Sequence, residues 1–155
     1  MNYEEILIER IESFVDVVEN FVGVEHQIIH DSKYRKHFRK PNYELNIETL
    51  NDIKVSALNI DIDDVEIPAD DEQSLDVAEK FERCLVLFNK LCDGFIDLQD
   101  QLKQKAERTK KFKITEYQEV LRELQGTRTL MNSALQTFHE AYTEYASFDE
   151  DEIEE

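Results

Sequence analysis

Between residues 74 and 112 the apolar positions Val77, Phe81, Cys84, Phe88, Leu91, Phe95, Leu98 and Leu102 return at alternating intervals of four and three. Such an interval keeps one stripe of an α-helix facing one way, so the pattern predicts an unbroken helix over about four heptads. Ala78, Leu85 and Cys92 flank the seam and widen it, which implies more than one partner helix. A second seam runs through Tyr117, Leu121, Leu124, Arg128, Met131, Leu135, Phe138, Tyr142 and Tyr145, with Arg128 its one interruption. It opens on "TEYQ", where Thr115 and Gln118 have capping-box spacing. Only a few residues around "FKI" separate the two seams, so an antiparallel hairpin is expected, each arm roughly 45 to 55 Å long.

Residues 2 to about 39 carry Leu7, Ile8, Ile11, Phe14, Val15, Val18, Phe21, Val22, Ile28 and Ile29, again with helical period. Gly23 and Glu25 weaken the pattern and mark a place for a kink. Pro41 ends the helix by Lys40, because the residue before a proline is pushed out of the α region. In 42–68, "NIETLNDIKVSALN" spaces Ile47, Leu50, Ile53 and Ala57 like a short helix, whereas "NIDIDDVEI" alternates like an extended segment. The expected fold is all-α: an elongated antiparallel bundle of three long helices plus a short helical or extended segment. Residues 1–147 form one domain and 148–155 a disordered acidic tail, "FDEDEIEE" being a charge run.

Composition agrees. Three Gly and two Pro in 155 residues are too few for an all-β chain that needs many tight turns. No run approaches the ~18 consecutive apolar residues of a membrane span, and "MNYEEILIER" is acidic where a secretory signal is basic, so a cytoplasmic location without membrane contact is expected. Cys84 and Cys92, eight apart on one helix, are too distant to bridge each other and are expected as reduced core thiols.

Charge changes the picture more. The formal net charge is -18, yet the cations gather in "SKYRKHFRKP", with Lys33, Arg35, Lys36, Arg39 and Lys40, and in "KQKAERTKKFK", with Lys103, Lys105, Arg108, Lys110, Lys111 and Lys113. Both stretches end long helices, where cations offset the helix dipole by roughly 0.3 to 1 kcal/mol each. If 42–68 runs back along the bundle, the first and third helices are parallel and both basic clusters meet at one end. Asp61, Asp63, Asp64 and Glu66 then join the acidic tail at the other.

Several chemistries can be weighed on these residues. Tyr34 and Phe38 among the cations suit stacking on a nucleic acid, but the net charge repels a polyanion, and direct nucleic-acid binding is not expected. His26 and His30, one helical turn apart in "EHQIIH", form the candidate metal pair, with Asp31 and His37 nearby. The Glu-x-x-His pairs of a di-iron bundle are missing. The carboxylate pairs Glu79/Glu82 and Asp97/Asp100 lie on one continuous helix and are expected as a solvated face. His139 has no nucleophile presented on a turn, and no Gly-rich phosphate loop occurs. No cofactor is expected.

The function expected is therefore that of a non-enzymatic protein-protein interaction module of adaptor, chaperone or inhibitor type. Its contact surface is placed on Lys33, Tyr34, Arg35, Lys36, Phe38, Arg39 and Lys40 together with Lys103, Lys105, Arg108, Lys110 and Lys111, or else on the acidic tail. An acidic DNA-mimic inhibitor is the alternative, and a metal-binding bundle using His26 and His30 a further one. Wide apolar stripes on few helices also allow a homodimer.

Overall fold

In the computed structural model the backbone is described for residues 2–34 and 41–154, and side chains for 2–30 and 41–146. Four helices follow in order: α1 (Tyr3–Tyr34), α2 (Tyr43–Leu58), α3 (Glu72–Ala106) and α4 (Ile114–Glu154). No strand occurs among the described residues. The all-α bundle of three long helices and a short one is the architecture that the apolar spacing predicts.

α3 is the central element. Its seam positions Val77, Phe81, Cys84, Phe88, Leu91 and Phe95 are buried, and so are the flanking Ala78, Leu85 and Cys92. The widened stripe serves α1, α2 and α4 together. α4 returns antiparallel along it: Phe81 meets Phe138, and the Cys84 thiol lies 3.5 Å from the Ala134 carbonyl. Burial pushes the Cys84 thiol up to about 11 and the Cys92 thiol up to about 12, so both stay protonated and apolar in character at neutral pH.

α1 runs parallel to α3. Phe14 sits edge-on between Phe81 and Phe88, and Phe21 between Phe88 and Phe95, with ring centroids 5.3 to 5.5 Å apart. The seven-residue spacing within each helix makes the rings interleave as one ladder, each pair adding about 0.5 to 1.5 kcal/mol to the area it buries. α2 runs the other way, with Asn46 donating to Gln99 at 3.0 Å and Lys54 paired with Asp93 at 2.6 Å.

The link from 59 to 71 then climbs back along α3. Ile62 is buried and Ile60, Val65 and Ile67 are partly buried against the core, while Asp61, Asp63, Asp64 and Glu66 face water. The segment is an irregular strap with one apolar face, turned where the Val65 N–H bonds to the Ile62 carbonyl and the Asp71 N–H to the Pro68 carbonyl, so it is not extended throughout as the alternation in "NIDIDDVEI" suggests. Arg10 of α1 clamps it through Asp64 at 3.1 Å and the Asp61 carbonyl. A polar knot closes this end. Asp71 caps α3 by accepting from the Ser74 N–H at 3.1 Å and takes the Tyr3 hydroxyl at 2.6 Å; Ser74 Oγ lies 2.9 Å from the Tyr145 hydroxyl.

α1 is one continuous helix through Gly23 and Glu25. Two local expectations need correction. α4 starts at Ile114, with the Tyr117 N–H bonded to the Lys113 carbonyl, so Thr115 is already helical and is not the cap. α3 ends at Ala106 and not near 112: the Thr109 N–H bonds to Gln104 O and the Arg108 N–H to Lys105 O, a Schellman closure with Arg108 at φ 54°. At the other end of α4 the disordered tail is not confirmed, since the helix continues to Glu154.

Candidate interaction surfaces

Because α1 and α3 are parallel, their C-terminal ends lie at the same end of the bundle. That is the condition under which the two basic stretches meet. Of the proposed contact residues, Arg35, Lys36, Phe38, Arg39 and Lys40 lie outside the described residues; Lys33 and Tyr34 belong to the last turn of α1, with their side chains also outside. The second stretch divides. Lys103 bonds to Glu44 of α2 at 2.8 Å, a pair that holds the Glu44 carboxyl below its ordinary range. Lys105 lies 6.0 Å from the Tyr117 ring centre. Arg108 occupies the left-handed position of the closure, and Lys110 and Lys111 are exposed on the α3–α4 turn. Within the second stretch only Lys103 and Lys105 stand in the last turn of a helix, so the dipole accounts for those two and not for Arg108, Lys110 or Lys111.

His26 and His30 remain one turn apart on α1 and are exposed. Among the described residues no group of three or more His, Cys, Asp or Glu is placed to hold a metal ion. Glu79, Glu82, Asp97 and Asp100 are exposed. Partial desolvation of the carboxyl, then the neighbouring charges of Asp93, Asp100 and Glu123, raise the Asp97 carboxyl. His139 is exposed beside the buried Phe138.

One feature was not legible from any single helix. Glu25 breaks the α1 seam and Arg128 breaks the α4 seam, and the two interruptions find each other: the Arg128 guanidinium donates to Glu25 Oε1, with the Glu25 side chain largely buried. Glu25 Oε2 is buried without a hydrogen-bond partner. This pair joins helices whose backbones stay more than 8 Å apart at every described residue. Elsewhere on α1, the Glu12 carboxylate lies within electrostatic reach of Tyr142 of α4, whose hydroxyl is raised first by burial and then by that carboxylate.

By helical phase Val15 and Val22 fall between Glu12 and Glu25 around α1, the two residues of α1 that reach Tyr142 and Arg128 of α4, and so on the side of α1 turned toward α4. Val15, Val22 and Ile29 are 43%, 52% and 57% exposed. Ile8 extends the row at the same seven-residue spacing and is partly buried. Glu5, Glu12 and Glu19 run beside it, also seven apart and exposed. Partly buried Leu135 and Tyr142 line the α4 side. The signal was in the sequence, since these aliphatics belong to the α1 stripe, but only packing decides that the stripe is wider than the core it serves.

No protein-family model, curated protein or solved structure matches this chain. Among the described residues no helix is long and apolar enough to cross a membrane.

Proposed function

We propose that the protein is a non-enzymatic interaction module that binds another protein along its helical surface. The observation that carries this reading is the row Ile8, Val15, Val22 and Ile29, of which three members are more than two-fifths exposed although the fold has three other helices to cover them. Scattered surface aliphatics are ordinary, whereas a continuous row at heptad spacing is the form of a helix-binding face. Acidic residues beside the row keep it soluble and bias encounters toward basic partners. The cationic end, with Lys105, Lys110 and Lys111, supplies a second contact region of opposite sign.

The test is capture of proteins from a nuclease-treated lysate of the protein's own source, on immobilised wild type and on two variants whose folding is checked by circular dichroism. One variant carries Val15→Gln, Val22→Gln and Ile29→Gln; the other carries Lys105→Glu, Lys110→Glu and Lys111→Glu. The expected result is a protein retained by wild type and lost from at least one variant. Retention of nothing, or of the same proteins by all three, overturns the reading.

A further inference from the structure

We infer that the gap between α1 and α4 is a docking groove for one amphipathic helix of a partner whose apolar stripe is edged by Lys or Arg; this rests on the interaction-module reading and assigns its occupant. The row from Ile8 to Ile29 spans 22 residues, about 32 Å of helix from end to end, which matches about six turns of a partner and exceeds what a loop or a single side chain needs. Its β-branched members present the aliphatic half of a seam. Glu5, Glu12 and Glu19 stand one turn away from them at the same repeat, where flanking charges in paired helices set partner choice. Near the Val22–Ile29 end of the row the Arg128–Glu25 pair ties α1 to α4, while no Cα atoms of the two helices come within 8 Å among the described residues.

A second copy of the chain does not fit this surface. From residue 2 to residue 30 the one Lys or Arg is Arg10, and Asp64 and the Asp61 carbonyl already hold it. On α4 between 114 and 146 the two are Arg122 and Arg128, paired with Glu119 and Glu25. Two such surfaces face to face place glutamate rows together with no free cation between them, in a chain of net charge -18. A like-charge juxtaposition across an interface disfavours that pairing.

The probes are three fluorescent peptides of about four heptads: a leucine/isoleucine seam flanked by Lys, the same seam flanked by Glu, and the Lys peptide scrambled to remove the seam. Anisotropy titrations against the full chain at physiological salt are expected to rank the Lys-flanked seam at least tenfold tighter than either control. Val22→Asp, at an exposed position, is expected to weaken that peptide tenfold or more. Glu12→Lys with Glu19→Lys is expected to reverse the preference toward the Glu-flanked seam while the thermal melt stays unchanged. Equal binding of the scrambled peptide reduces the effect to polyanion attraction and overturns the proposal. So does a preference unmoved by the charge reversal, or sedimentation showing a dimer of the chain that Val22→Asp abolishes. If no seam peptide binds, yet the lysate protein is lost with the triple Gln variant, the basic-helix occupant is wrong and the interaction module stands. If the lysate yields nothing, both fall.

Discussion

α3 meets α4 and α1 in different ways. Toward α4 it offers Gly94, where an added Cβ would come within 2.9 Å of Leu124 Cδ1, and the two helices stay close along their length. Toward α1 it offers Phe81, Phe88 and Phe95, whose rings hold the α1 backbone farther away. A hairpin joined by a seven-residue turn settles into close backbone approach, while α1, separated from α3 in the chain by α2 and the strap, is seated on large side chains and, toward α4, one ion pair. Ring spacing leaves the flank of α1 open toward α4, and the uncovered aliphatic row lies on that flank.

Removing a rung of the ladder is the strongest way to break this comparison. Phe88 touches both Phe14 and Phe21 and is buried, so Phe88→Ala is expected to cost about 3 to 5 kcal/mol of unfolding free energy in urea titration. Amide exchange should rise first in α1. An equal rise in α4 means that the ladder does not seat α1 separately from the hairpin.

Next comes the pair that bridges the gap. Arg128→Leu leaves the Glu25 carboxylate buried and uncompensated, with an expected loss of about 2 to 3 kcal/mol because Arg128 itself is partly solvated. Glu25→Leu together with Arg128→Leu should recover most or all of it, since both groups occupy seam positions that suit leucine. A double variant as unstable as the single one shows that the pair contributes more than compensation of its own burial.

The polar knot at the strap end sets a pH dependence. The Tyr3 hydroxyl, ahead of the Ser74 bonds, holds the Asp71 carboxyl below its ordinary value. Its contribution to stability is therefore complete above about pH 4, the unfolded value, and is lost as pH falls through the lower folded value. The Tyr3 hydroxyl is raised by its bond to Asp71, so the stability it contributes is complete below about pH 10, the unfolded value, and is lost as pH rises through the higher folded value. Asp71→Asn should flatten the acid limb of a melting-temperature profile by a few degrees. An unchanged limb removes Asp71 from the account.

The smallest effect sharpens the contrast most directly. Nothing lies within 4 Å of a Cβ added at Gly23 on α1, whereas Gly94 faces Leu124. Both glycines have ordinary helical φ. Gly23→Ala is expected to stabilise by about 0.5 to 1 kcal/mol through helix propensity alone, and Gly94→Ala by less, because the Leu124 side chain must turn aside. Equal gains would mean that the α3–α4 contact is no tighter than the open flank.

Much of this fold is legible in the chain because helical period and burial have one cause. Val77 to Phe95 repeat at 3.5 residues and are buried on one stripe, and the alternation of Ile60, Ile62 and Ile67 against aspartates marks the strap. Helix ends are less legible. Basic residues continue to Lys113, yet α3 stops at Ala106, because closure by Thr109 and Arg108 is a matter of backbone geometry that Arg adopts without announcing it. The surface is least legible: Val15 and Val22 read like any other member of the α1 stripe.

The amino-acid pattern alone determined that four helical or extended segments exist, which stripe of each is apolar, where cations and carboxylates concentrate, and that two charged residues interrupt otherwise apolar seams. Local spacing is enough for that, since each property belongs to one segment. Tertiary structure alone decided that Glu25 and Arg128 meet, that α1 and α3 are parallel, and that Val15, Val22 and Ile29 stay outside. Those outcomes depend on how far apart neighbouring helices can sit, and that distance is set by the rings and glycines of one helix acting on the backbone of another.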